Sequence, residues 1–184
     1  MTAQSKDIIN YNDHRYFIFD VQHPEMFFNI NGLGITPRYR RTSCWRGFVA
    51  EFSICKNNLV LKNLDTNNDG GNAELIVLNG ISPIVEHPRG KTEQSTINGW
   101  YYKDVNLLLP YLGAILIESD NRSDGNASTV KDAILICLGI LGIEIKFENG
   151  HFLEANNIVM HNLPEWIEER HGARLRMLRE RMIR

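Results

Sequence analysis

The stretch SCWRGFVAEFSIC, residues 43–55, constrains the fold more than any other part of this chain. Read at period two, Phe48, Ala50, Phe52 and Ile54 share one face, and Trp45, Val49, Glu51 and Ser53 share the other. That pattern predicts a strand with one face in a core. Lys56-Asn57-Asn58 then turns the chain into LVLKNL, an apolar run that pairs back as a hairpin. The same logic applies upstream, where DIINY and HRYFIFD flank Asn12-Asp13, a residue pair suited to the left-handed backbone of a two-residue turn.

Most of the remaining chain keeps this character. After His23-Pro24, the glycines and Pro37 of EMFFNINGLGITPRYRR predict a surface loop, with one helical turn near Glu25 to Phe28. AELIVLNG reads as a strand, SPIVEHPRGKTEQSTING as a long polar connection, and WYYKDVNLLLP with LGAILIES as a further pair around Pro110 to Gly113. Residues 133–147 fit either a buried helix or a buried strand. Their two glycines and Ile-rich run favour strand, and KFENGHFLE closes that strand with an Asn-Gly turn.

The period changes only at the end. Asn162, Pro164 and Glu165 form a helix-start signature, and Ile167, His171, Leu175, Leu178 and Met182 fall on one stripe of a helix of roughly 19 residues. Glutamates in its first turns and arginines in its last complement the helix dipole. The expected fold is therefore mainly β: an antiparallel sandwich or partly open barrel over residues 1–161, with one C-terminal amphipathic helix over 162–184 packed on it or on a partner.

Net charge of -2 gives no global attraction to nucleic acid or anionic lipid. Residues 165–184 do carry six Arg against four Glu. These arginines flank both sides of the apolar stripe, an arrangement that suits stems lying beside a docked face better than a one-sided nucleic-acid surface. Cys44, Cys55 and Cys137 form an odd set without C-x-x-C spacing, and no apolar leader follows Met1, so the expected compartment is a reducing cytoplasm. AILICLGILGI at 133–143 is too short to span a bilayer.

The loop DTNNDGGNAELI at 65–76 places Asp65, Asn67, Asp69 and Gly70 at positions one, three, five and six of a calcium-loop template. Its twelfth position is Ile76 where the template needs a bidentate Glu, so a polar turn explains the loop without a metal. The six histidines lack ligand spacing, and the chain has no P-loop, G-x-S-x-G elbow or G-x-G-x-x-G after a strand. No cofactor is implied.

Trp45, Arg46, Trp100, Tyr101 and Tyr102 are the candidate contact residues, because Trp, Tyr and Arg dominate binding hot spots. The competing account places them in packing, with Arg46 at a strand end stacking on an aromatic ring or holding a buried carboxylate. If the site instead handles a small molecule, Asp104, Glu51, Arg46 and His87 are the polar residues expected to line its pocket.

Three segments together resemble a family of uncharacterised bacterial proteins. HRYFIFD is similar to its N-terminal hairpin, TSCWRGFVAEFSICKNNLVLKNL to its W-R-G-[YF]-x-A-x-[FW]-x-I strand and following L-x-L strand, and WYYKDVNLLLPYLGAILIE to its W-Y-x-x-D…P-x-x-G-x-[IL] segment. The likeness covers roughly residues 7–118. It implies a bacterial cytosolic β-rich domain and brings no catalytic residue. Members of that family end in a shorter hairpin where this chain adds its Arg-rich helix. The resulting expectation is a non-catalytic protein-binding module of accessory or immunity type, engaging a partner or a second copy through aromatic surface or the C-terminal helix. A small-molecule binder or hydrolase and a calcium-dependent assembly module are the alternatives.

Overall fold

A computed structural model describes residues 4–39, 43–67, 75–86, 99–119, 140–159 and 163–172. Among the described residues ten strands run in chain order: β1 (Ile8–Tyr11), β2 (His14–Val21), β3 (Val49–Cys55), β4 (Asn58–Asn67), β5 (Ile84–Glu86), β6 (Gly99–Tyr102), β7 (Leu107–Leu108), β8 (Gly113–Ser119), β9 (Ile140–Glu148) and β10 (His151–Val159). A single helical turn, α1 (Pro24–Phe27), and a 3-10 turn over Ile30–Leu33 follow β2. Helix α2 occupies residues 165–172.

Hydrogen bonding links β10, β9, β8, β2, β1, β3 and β4 in that order, and β10 pairs again with β4. Seven strands thus close a barrel, and β6, β5 and β7 extend from β4. Among the described residues every strand pairing is antiparallel except β1 with β3.

Turn chemistry sets this register. The two-residue turns Asn12-Asp13, Lys56-Asn57 and Asn149-Gly150 all hold positive φ, between 47° and 81°, which matches the twist of the strands they join. Two bulges then re-aim side chains. Opposite Glu51 and Phe52, the β3–β4 register skips Lys62, so Leu59 and Leu61 before it and Leu64 after it are all buried. In β2 the register with β8 skips Phe19, so Asp20 stands opposite Leu116.

Inside the ring, Ile9, Ala50, Phe52, Leu59, Leu61, Leu64, Ile115, Ile117, Ile145 and Phe147 form one buried cluster. Phe27 of α1 packs against Phe52 and Tyr111, at ring separations of 4.8 and 5.1 Å. Tyr111 in turn donates its hydroxyl to the Ala114 carbonyl at 2.9 Å. The barrel is a packed core and not a channel.

Helix α2 lies on the outside of this ring. Ile167 packs with Leu116 and Ile158, flanked by Leu163 and Trp166. Arg170 donates to Asp20 Oδ1 at 2.8 Å and to the Val21 and Gln22 carbonyls, while His171 Nε2 sits 2.6 Å from Asp20 Oδ2. The bulge at Phe19 brings Asp20 to the face on which the helix docks.

Several expectations need correction. WYYKDVNLLLP does not pair with LGAILIES: β6 and β7 both pair with β4, while β8 lies between β2 and β9. Within the expected polar connection, Ile84–Glu86 forms β5 against β6, and the expected surface loop after Pro24 buries Phe27, Ile30 and Ile35. Residues 75–77 of AELIVLNG are not a strand: only Leu78 bridges to Ile81, across a tight Asn79-Gly80 turn. Trp45 does not belong to the alternation of β3, because the strand begins at Val49 and Gly47, at φ 76°, turns the chain before it. Residues 133–139 and the helix stripe beyond His171 lie outside the described residues, and none of the described helices is long and apolar enough to cross a membrane.

Gly150 sits at the barrel seam. Its carbonyl accepts from Leu59 N–H at 2.7 Å, its N–H donates to the Tyr111 carbonyl at 2.8 Å, and a Cβ there would lie 2.2 Å from the Leu109 carbonyl oxygen. With φ at 81° the position also disfavours any side chain. Gly150→Ala is expected to lose roughly 2–4 kcal/mol in urea unfolding. An unchanged midpoint would contradict this seam geometry.

Candidate functional site

A groove of about 560 Å³ runs across the outer face of the sheet, over β8, β2, β1, β3, β4 and β6. Strand register explains its lining. Glu118, Phe17, Ile8, Glu51 and Asn63 stand side by side on β8, β2, β1, β3 and β4 as one cross-strand row. Val49, Asp65 and Tyr101 form the neighbouring row on β3, β4 and β6. Gln4, Ser5 and Lys6 border it, with Ser5 N–H bonded to the Ser43 carbonyl at 2.6 Å.

Phe17, Ile8, Val49 and the Tyr101 ring give the groove an apolar floor, and Glu51, Asp65 and Glu118 give it negative charge. Lys6 is ion-paired with Glu118 and lies 5.8 and 5.7 Å from the centres of the Phe17 and Phe19 rings. Three carboxylates against one ammonium leave the lining acidic.

Glu51 is fixed by two amides. Asn10 Nδ2 donates to one oxygen at 2.6 Å and Asn63 Nδ2 to the other at 2.8 Å. The Asp104 N–H donates to Asn63 Oδ1 at 2.9 Å, which sets the orientation of that amide. Half-burial alone would raise the Glu51 pKa; these two bonds, with Arg15 and Lys62 nearby, outweigh it and hold the carboxyl below its ordinary value. Tyr101 moves the opposite way: burial first, then the Glu51, Asp104 and Asp65 carboxylates, push its phenol up, so it remains a hydrogen-bond donor through neutral pH.

The five aromatic and Arg candidates separate into three environments. Trp100 and Tyr102 are buried core residues and present no contact surface, and burial pushes the Tyr102 phenol up to about 12 while it donates to the Ile76 carbonyl at 2.9 Å. Tyr101 points the other way and lines the groove. Trp45 is 67% exposed, with its N–H bonded to Gln4 Oε1.

Arg46 performs a structural task outside the groove lining. It makes a two-pronged pair with Asp7 at 2.8 and 2.6 Å and stacks over Phe48 at 4.6 Å. Asp7 also accepts from Ala50 N–H at 2.7 Å, which ties the start of β1 to β3. Burial raises the Asp7 pKa, and Arg46 and the Ala50 bond pull it only part of the way back.

The metal-template residues are similarly divided. Asp65 lines the groove, whereas Asn67 is fully buried, with Oδ1 accepting from Arg38 N–H at 2.7 Å and Nδ2 donating to the Arg38 carbonyl at 2.8 Å. Both stand on β4, so neither belongs to a flexible loop. Asp69 lies outside the described residues. Among the described residues, no three His, Cys, Asp or Glu side chains converge as metal ligands.

Of the small-molecule set, Glu51 lines the groove, Asp104 lies in electrostatic reach of Tyr101, Arg46 is held by Asp7, and His87 is outside the described residues. Sequence reading missed Asn10, Asn63, Lys6, Phe17 and Glu118. Period two places Glu51 outward, but only the parallel β1–β3 pairing brings Ile8 and Phe17 beside it. No family model, curated protein or solved structure matches the chain.

Two expected outcomes follow from these bonds. Arg46→Ala leaves the Asp7 carboxylate largely buried without its counter-charge and is expected to lose roughly 2–3 kcal/mol in urea unfolding, with Arg46→Lys recovering only part because it cannot make the two-pronged pair. Glu51→Gln turns an amide NH₂ toward one of two donors and is expected to lose about 1 kcal/mol at pH 7, a small value because the site is partly solvated. Since the folded-state pKa of Glu51 is lowered, its contribution is present above the unfolded pKa and lost as pH falls through the folded value. The gap between wild type and Glu51→Gln should therefore narrow on acidification in denaturation curves collected from pH 7 to pH 3.

Proposed function

We propose that the protein is a non-catalytic binding module that receives a cationic segment of a partner protein across the outer-face groove. The observation that carries this reading is the pairing of an apolar floor, Phe17, Ile8, Val49 and Tyr101, with the carboxylates Glu51 and Asp65. Such a surface suits Lys or Arg side chains whose aliphatic stems lie on apolar atoms while their heads meet carboxylates. Exposed Trp45 adds an aromatic anchor of the kind that binding surfaces favour.

Glu51 supports binding over proton transfer. With both oxygens occupied by amide donors and its pKa held low, it is a weak proton acceptor but a stable negative charge. Within the bacterial family that the sequence resembles, an accessory or toxin-neutralising immunity-type role fits an acidic groove that masks a basic partner. Free Cys44, buried, and free Cys55, exposed, suit the reducing cytoplasm that this reading assumes.

A second reading has one observation in its favour. The groove volume falls in the range of small-molecule sites, so a cationic, partly aromatic small ligand is the alternative occupant.

The test is affinity capture from native lysate with wild type, Asp65→Lys and Tyr101→Ala, each first checked for an unchanged melting temperature. One stoichiometric basic partner is expected on the wild type, released by raised salt, lost from Asp65→Lys and bound at least about tenfold more weakly by Tyr101→Ala. A partner held equally by both variants would remove the groove from the account. No partner, together with turnover in a substrate screen, would replace binding by catalysis.

A further inference from the structure

A second cavity, of about 550 Å³, lies between α2 and the outer face of β9 and β10. It shares no lining residue with the first groove. Cross-strand pairing again arranges its wall: Glu144 and Asn156 stand abreast on β9 and β10, with Lys146 two residues beyond Glu144 opposite Ala114 of β8. Gln22, Asn157, Leu163, Pro164 and Trp166, with the small apolar surfaces of Ala114 and Ile158, complete the lining.

Glu144 is the unusual member. Its side chain is only 5% exposed although it stands on an outer strand face, and a buried carboxylate is costly unless it is paired or used. The Trp166 indole donates to Oε1 at 2.8 Å. Oε2 lies 3.8 Å from Lys146 Nζ, beyond hydrogen-bond reach, which leaves this oxygen with acceptor capacity. Lys146 itself is bound to Glu154 at 2.8 Å, and these carboxylates raise its pKa. The cation of this wall thus stands between two anions.

A wall whose ions are already paired attracts neither a strong anion nor a strong cation. What it offers a ligand is a dense set of hydrogen-bonding groups, the carboxylate of Glu144 and the amides of Gln22, Asn156 and Asn157, beside the apolar surfaces of Leu163, Pro164 and Trp166. That combination matches a neutral polyhydroxylated molecule, whose hydroxyls both donate and accept and whose C–H face is apolar. We infer that the cavity beneath α2 is a binding site for a neutral saccharide, with Glu144 accepting from ligand hydroxyls and Asn156 bonding others.

The test is titration of the full chain with a panel of neutral hexoses and disaccharides, followed by calorimetry and by the Trp166 indole N–H resonance. Inorganic phosphate and glycine serve as charged comparators. At least one saccharide is expected to bind and shift that resonance, with affinity reduced at least about tenfold by Glu144→Gln, whose amide oxygen still accepts from the indole. Asn156→Ala alters an exposed side chain and keeps the test valid should Glu144→Gln fail to fold; it too is expected to weaken binding. Absence of binding by every saccharide at millimolar concentration, binding indifferent to the substitutions, or preference for phosphate or glycine would overturn the assignment.

Discussion

The seam between β4 and β10 is the constraint on which the rest of the structure depends. It joins residues far apart in the chain: Phe152 N–H donates to the Asn57 carbonyl at 2.9 Å, Leu59 N–H to the Gly150 carbonyl at 2.7 Å, and the Asn57 amide to the Phe152 carbonyl across 95 residues. Loop closure on that scale is entropically expensive, but its cost rises only slowly with length. Once it is met, the first residues of β4 and β10 cover each other at Asn58 and His151, and β7 and β6 cover the rest of that edge of β4. The interior then fills with Phe52, Tyr111, Ile115, Ile145 and Phe147, leaving both grooves on the outer face.

Chemistry on that face is positioned by irregularities in the strands. The skip at Phe19 places Asp20 opposite Leu116, and so supplies both the ionic and the apolar contacts that seat α2. The skip at Lys62 keeps Leu61 and Leu64 in the core while Asn63 pairs with Glu51 on the surface. Without these bulges, one-residue slips would exchange inner and outer side chains along whole strands. The same local departures from regular pairing therefore serve core packing and shape the outer-face grooves together.

How far the sequence disclosed this arrangement depended on the range of the interactions involved. Hairpins at Asn12-Asp13, Lys56-Asn57 and Asn149-Gly150 were legible because turn chemistry is local, and β9 was assigned correctly from its glycines and Ile content over Ile140–Glu148. The start of α2 was legible from Pro164, whose carbonyl accepts from Ile167 and Glu168 N–H. The parallel pairing of β1 with β3 was not legible, since no turn joins those strands and the pairing depends on Asp7 reaching Arg46 and Ala50. Arg46 reads as a contact residue and, in the competing account, as one stacking on a ring or holding a carboxylate; it does both of the latter, but that Phe48 and Asp7 are its partners is a tertiary fact. Trp100 and Tyr102 looked like contacts because aromatic composition does not distinguish a hot spot from a core, and only Tyr101 between them faces outward to the groove. Glu144 gave no signal at all, since its burial depends on a helix packed from far along the chain.

Amide hydrogen exchange at Leu59 and Phe152 tests the closed ring most directly, because each N–H spans the seam. The account predicts that both exchange only through global unfolding, with protection equal to that of Ile117 and Ile145 within the ring. Exchange at the rate of a fraying strand edge, while Ile117 and Ile145 remain protected, would contradict closure and return both outer-face sites to an open sheet.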